Sequence, residues 1–158
     1  MYAIWTGIEM GLLGTVAMDL WAILLARFAG QPKPNWAMPG RWLAHALRGK
    51  LFHADIAAAK PVAGELHLGW FFHYAVGVIY GVVFAVLAGA GWRADPTFLP
   101  LWIYALATIA AGWFLLQPGM GLGWGASKTP NPWKVRGLGL VAHTVFGLGM
   151  WIGALVMA

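Results

Sequence analysis

The sequence predicts an all-α fold, a four-helix transmembrane bundle with an interfacial helix in its long cytoplasmic connection. Three observations predict it. Of 158 residues, 61% are hydrophobic and 9% charged, where an ordinary soluble domain carries roughly 25% charge. Four apolar runs of ~20 residues, the length that crosses a bilayer core, separate the charge clusters. The basic residues fall almost entirely in the connections between those runs. Ten Lys and Arg with five Asp and Glu cannot cover a water-soluble particle of this size, whereas lipid requires no charged cover. The composition also excludes disorder, and the absence of Cys excludes a disulfide or thiolate-metal scaffold. The net charge of +5 lies beside apolar spans, so it reads as a topology signal and no nucleic-acid partner is expected.

The first span runs over residues 2–28. It has no basic segment ahead of it, it is too long for a signal peptide, and Glu9 and Asp19 lie within it, so a retained helix is expected. The other spans cover about 66–90, 98–116 and 137–158, and all four belong to one integral membrane domain, 1–158. Arg27, Lys33, Arg41, Arg48, Lys50 and Lys60 border the connection after span one, and Lys128, Lys134 and Arg136 the one after span three. That makes nine basic residues on one side, against Arg93 alone on the other. By the positive-inside rule both termini face the periplasm.

In the first connection, Trp42, Leu43, Ala46, Leu47, Leu51 and Phe52 recur at helical spacing, with Arg41, His45 and Arg48 opposite. A helix over Arg41 to Ile56, lying among the headgroups, follows from that pattern, although Gly49 interrupts it. Gln31-Pro-Lys-Pro ahead of it cannot be helical. The second connection, Gln117 to Val135, has glycine at 119, 121, 123 and 125 and then Thr-Pro-Asn-Pro, the pattern of an irregular loop. It fails the phosphate-loop pattern, since Lys128 follows Ser127 and no strand precedes it. Amides at Gly123 and Gly125 beside Lys128 offer an anion or lipid-headgroup site, with a plain interfacial turn as the alternative. Trp36, Trp42, Trp70, Trp92, Trp124 and Trp133 lie near span ends, as an interfacial belt requires.

Gly69-x3-His73-x3-Gly77 in span two and Gly139-x3-His143-x3-Gly147 in span four share a spacing, offset by 70 residues, and Gln31-Pro32 and Gln117-Pro118 end the spans before them. The halves read as two related hairpins, or as coincidence in a glycine-rich chain. Either way, small residues every fourth position, Gly77-x3-Gly81 included, let helices approach closely.

Counting inward at ~1.5 Å per residue from the basic anchors, Asp19, His143 and Thr108 lie roughly 10–12 Å inside the cytoplasmic edge. His73 is deeper, and Glu65 and His67 stand at the mouth. An Asp in a membrane helix costs roughly 2.5–3.5 kcal/mol, so it should face the interior and have a partner. Asp19, His73 and His143 are therefore expected to converge, with Glu65, His67, Thr15 and Thr108 completing a polar site. Two His and a carboxylate suit a divalent metal. The Gly-flanked His pair suits bis-His haem ligation. The same residues also suit proton passage, or a hydrogen-bonded network that only pins the helices together. No short His-x3-His spacing decides among these.

Thr15-Val-Ala-Met-Asp-Leu-Trp21, Gly40-Arg-Trp with His45, Phe52-His53, Pro61 through Gly64-Glu65, Gly69-Trp70, His73-Tyr74, Gln117-Pro118, Thr129-Pro-Asn-Pro and His143-Thr-Val-Phe-Gly147 follow in this order. Over nearly the whole chain the sequence resembles a family of small bacterial multi-pass membrane proteins known only as a domain of unknown function. The resemblance implies a bacterial inner-membrane protein and supplies no activity or ligand. Two classes of function remain: a bundle with a working Asp/His site that binds a metal or relays protons, or an accessory or scaffold subunit of a larger membrane complex. Lipid is the expected partner, with a homodimer or larger assembly possible.

Overall fold

Runs of apolar residues this long form helices in lipid because every backbone N–H and C=O must be bonded internally. The computed structural model describes Met1–Ala158 and contains helices and no strands. Four helices are long and apolar enough to span a membrane: α1 (Tyr2–Phe28), α3 (Glu65–Ala94), α4 (Phe98–Gly119) and α5 (Pro132–Met157). The shorter α2 (Ala37–Ala46) lies in the first connection. Even the 22-residue α4 is about 33 Å long, enough for a hydrocarbon core of ~30 Å. In the most apolar stretch of each long helix only 17–33% of residues are buried by protein, and the rest, such as Ile23, Phe71, Ile79, Leu87, Ile103 and Val156, are exposed. Apolar residues on all sides of a helix belong in lipid.

The chain forms two compact units. The first comprises Met1–Lys33, Tyr74–Thr108 and Leu140–Ala158, a four-helix bundle cored by Met10, Phe84, Leu101, Phe146 and Met150. Its α1–α3 crossing is set by glycine: a methyl group on Gly11 would overlap the Gly77 carbonyl, and one on Gly77 would overlap the Thr15 hydroxyl. Without side chains between them the backbones touch, which is the small-residue packing expected from the Gly77-x3-Gly81 spacing. In α5, Gly149 and Gly153 abut α1, and Gly147 faces Ala105 and Trp102 of α4. The Tyr2 hydroxyl donates to the Met157 carbonyl, so the two ends of the chain meet at one end of this bundle.

The second unit comprises Pro34–His73 and Ile109–Gly139, with Trp42, Ile56 and Met120 at its core. The interfacial helix expected over Arg41 to Ile56 is shorter and earlier, Ala37–Ala46. It stops because Gly49, at φ +85°, turns the chain back and the amides of Gly49 and Lys50 close on the carbonyls of Ala46 and His45. Residues 50–60 then fold as an irregular segment, with Leu51 and Phe52 exposed rather than sharing an apolar face with Trp42. Helix α3 begins by crossing α2, where methyl groups on Gly40 or Gly69 would overlap the backbone opposite.

Span boundaries shift for local reasons. In α3, Gly89 at φ +77° breaks the helix before a last turn to Ala94, and Arg93 folds back to donate to the Ala85 carbonyl. Helix α4 continues past Leu116 through a π-helical turn, Gly112–Leu116, in which the Gln117 amide bonds to Gly112. The extra residue lets the helix proceed into Pro118, which has no N–H to give. Helix α5 starts at Pro132, earlier than the basic residues implied, because proline fits a first helical turn whose amides are unpaired in any case.

Candidate functional site

Two polar pairs lie on the membrane-length helices of the first unit. The Tyr74 hydroxyl of α3 donates to Asp19 Oδ2 of α1 at 2.7 Å. On α5, His143 Nδ1 is 3.0 Å from the Ala105 carbonyl oxygen and 3.1 Å from Thr108 Oγ1, and Thr108 itself donates to Ala105 at 2.6 Å. A carbonyl oxygen only accepts, so Nδ1 carries the imidazole proton and Nε2 of the neutral ring is an acceptor. One turn away Trp102 donates to the Thr144 hydroxyl. The depth count put Thr108 and His143 at one level, and they are bonded to each other. Thr15 is buried and donates to Gly11 within its own helix at 2.8 Å. Its contacts are those of a packing residue beneath Gly77.

A second polar cluster, in the second unit, centres on Arg41. Its Nε and Nη2 bind the two oxygens of Glu65 at 2.8 and 2.7 Å, and Nη1 lies 3.0–3.1 Å from the carbonyls of Ile56, Ala57 and Ala59. Glu65 Oε2 also accepts the Val62 amide at 2.9 Å. Arg41 is 6% exposed. Its forked bond with Glu65 holds it above its ordinary pKa, against the opposing effect of burial. Placing Arg41 with His45 and Arg48 on a headgroup-facing side was therefore incorrect for Arg41: it is buried because it gathers carbonyls that a non-helical segment leaves without partners. Beside it, His45 Nδ1 lies 2.8 Å from His53 Nε2, and His53 Nδ1 lies 3.1 Å from the Gly119 carbonyl. The helical spacing of residues 41–48 concealed this cluster. The available signal was Arg41 preceding Glu65 in a connection with few other acids.

The remaining expected site residues are placed as follows. His73 belongs to the second unit, where its ring stacks on Trp36 at 3.9 Å between centroids, and Trp70 meets its edge at 6.0 Å. The surroundings of His73 and His143 thus differ, although Gly77 and Gly147 each face the long helix that precedes theirs in sequence. His67 is exposed, and Glu65 is held by Arg41. No group of three or more His, Asp or Glu side chains is arranged to hold a metal ion, so the metal reading of Asp19, His73 and His143 has no such group to rest on. In the glycine-rich segment the amides of Ser127, Lys128 and Thr129 are bonded to the carbonyls of Trp124, Leu122 and Ala126, and the Gly125 carbonyl accepts from Arg136 at 2.7 Å. Those three amides are closed on the loop itself and do not form an open anion cradle. Gly123 and Gly125 are buried, while Lys128 is exposed.

No curated protein and no solved structure matches the chain. Residues 8–157 match a family described as protein of unknown function (DUF2938), and with nearly its whole length matched, the chain belongs to that family.

Proposed function

We propose that this is a four-span bacterial inner-membrane protein, with both termini periplasmic, that takes up and relays protons at Asp19 and His143. One observation carries the reading: Asp19 and His143, two ionisable groups within the spans, each have a hydrogen-bond partner whose bond is compatible with proton uptake. Tyr74 donates to one Asp19 oxygen, and the Ala105 carbonyl occupies the Nδ1 proton of His143, so that Nε2 is the accepting nitrogen. Ionisable residues at membrane depth are costly and are kept in pumps and channels as proton-relay groups. Tyr74 and Thr108 carry hydroxyls that both donate and accept, the property a relay needs between titrating groups. The charge asymmetry supports the orientation, since without the buried, paired Arg41 the count is still eight basic residues to one.

The test is proton flux into liposomes holding the purified protein, read by an internal pH-sensitive dye under an imposed potassium diffusion potential. Flux is expected with the native protein, lost in Asp19→Asn and slowed in His143→Gln, with helix content retained. Native flux equal to that of protein-free vesicles overturns the reading. The close glycine contacts of the bundle favour a second one, an accessory or self-associating subunit. In that case neither protein conducts, and Asp19→Asn lowers stability alone.

A further inference from the structure

The second unit contains two imidazoles in a hydrogen-bonded chain that takes no part in the proposed relay. His45 Nε2 is 3.1 Å from the Lys60 carbonyl oxygen, His45 Nδ1 is 2.8 Å from His53 Nε2, and His53 Nδ1 is 3.1 Å from the Gly119 carbonyl oxygen. Both outer nitrogens face carbonyls, which only accept, so both carry protons. Two neutral imidazoles have one N–H each. With both protons on the outside, two bare lone pairs would face each other at hydrogen-bond distance. One further proton turns that repulsion into a bond, and a fourth would set two N–H groups against each other.

The geometry points to a one-proton binding site: His45 and His53 together hold three N–H groups and a charge of +1, and the shared proton closes a seam between residues 50–60 and α2. The same segment is tied to residues 117–121 by the His53 amide, which donates to the Gly119 carbonyl at 3.0 Å, and by the Ile56 amide, which donates to the Met120 carbonyl at 3.1 Å. His53 is 8% exposed, so water cannot readily replace a lost partner. The charged groups around the pair come from three elements. Arg41 of α2 and Glu65 of α3 neutralise each other, with Glu65 electrostatically coupled to His45. Lys50, Asp55 and Lys60 of the irregular segment are exposed, and Gln117 to Gly121 contributes no charge. A tetrahedral metal would hold its two nitrogens roughly 3.3 Å apart and needs further donors. The observed 2.8 Å is a hydrogen-bond length, and no third donor joins the pair.

The seam is therefore tightest at intermediate pH. Below the range in which imidazole titrates, the pair gains a second charge and the central bond is lost. Above that range the shared proton leaves and the bond is lost again. The test is hydrogen exchange by mass spectrometry on the full chain in lipid nanodiscs, following residues 50–60 from about pH 5 to about pH 9, the span of imidazole titration with a margin on the basic side, corrected for intrinsic exchange. Protection should peak within that interval and fall roughly two- to tenfold on each side, the weight of one net hydrogen bond, and His45→Gln and His53→Gln should flatten the peak. A flat native profile overturns the proposal, as does a peak unchanged in both variants. Equimolar zinc that raises protection and abolishes the pH dependence overturns it in favour of a metal site. Nitrogen-15 spectra of the native imidazoles decide without variants: three ring N–H groups per pair at the optimum are expected, and two or four refute the assignment. Neither Asp19 nor His143 enters, so loss of the flux reading leaves this one standing.

Discussion

Replacing Gly11 with alanine tests the packing on which the bundle depends. A methyl group there would lie 2.6 Å from Val78 Cα and 2.8 Å from the Gly77 carbonyl carbon. Carbon atoms in contact sit about 3.5–4.0 Å apart, so α1 and α3 must separate by about 1 Å, and because the obstruction is backbone no rotamer change relieves it. Over-packing of this kind costs about 1–3 kcal/mol. Alanine in a helix interior recovers about 0.5–1 kcal/mol relative to glycine, so the proper control is Gly137→Ala in α5, where nothing lies within 4 Å and only the gain remains. The difference between the two variants isolates the packing cost. In a chain of this length it corresponds to roughly 2–12 °C in melting temperature. Thermal unfolding in mild detergent, followed by circular dichroism, measures it. Equal melting temperatures for Gly11→Ala and Gly137→Ala would refute the close α1–α3 crossing.

Other substitutions probe the remaining features. Arg41→Met releases the carbonyls of Ile56, Ala57 and Ala59 and leaves Glu65 without its partner; hydrogen exchange across residues 56–65 should rise, and Arg41→Lys should restore it only in part because an ammonium lacks the planar fork. Gly89→Ala forces a side chain into φ +77°, ψ 179°, a region essentially confined to glycine, and should lower stability by about 1–3 kcal/mol in the same melting assay. Thr108→Val removes one of the two bonds at His143 Nδ1 and leaves the other to Ala105. It should cost about 0.5–1.5 kcal/mol while keeping the His143 tautomer, which imidazole nitrogen-15 shifts report.

The spans were legible because apolar length is a local property: the runs beginning at Tyr2, Leu66 and Phe98 need no tertiary information to be read as membrane helices. Their ends were less legible where one residue redirects the chain, as Gly89 does in α3 and Pro118 at the end of α4. Depth counting put His143, Thr108 and Asp19 at one level, because straight helices crossing the same bilayer share a vertical scale. It could not supply Tyr74 for Asp19, since that requires the rotation of α3 about its axis. The Arg41 cluster was least legible. Its pattern in sequence is that of a solvated helix face, and its partners, Glu65 at 24 residues and the carbonyls at 15 to 18, are brought together only when residues 50–60 fold without a helix. His53 and Gly119, 66 residues apart, share no sequence signal at all.

Infrared difference spectroscopy on the protein in lipid, stepping the pH across the titration of its carboxyl groups, tests proton uptake at Asp19 most directly. A protonated-carboxyl band that appears on acidification, that shifts in Tyr74→Phe because the donor to Asp19 Oδ2 is gone, and that is missing in Asp19→Asn is the predicted result. A set of carboxyl bands identical in the native protein and Asp19→Asn would contradict it.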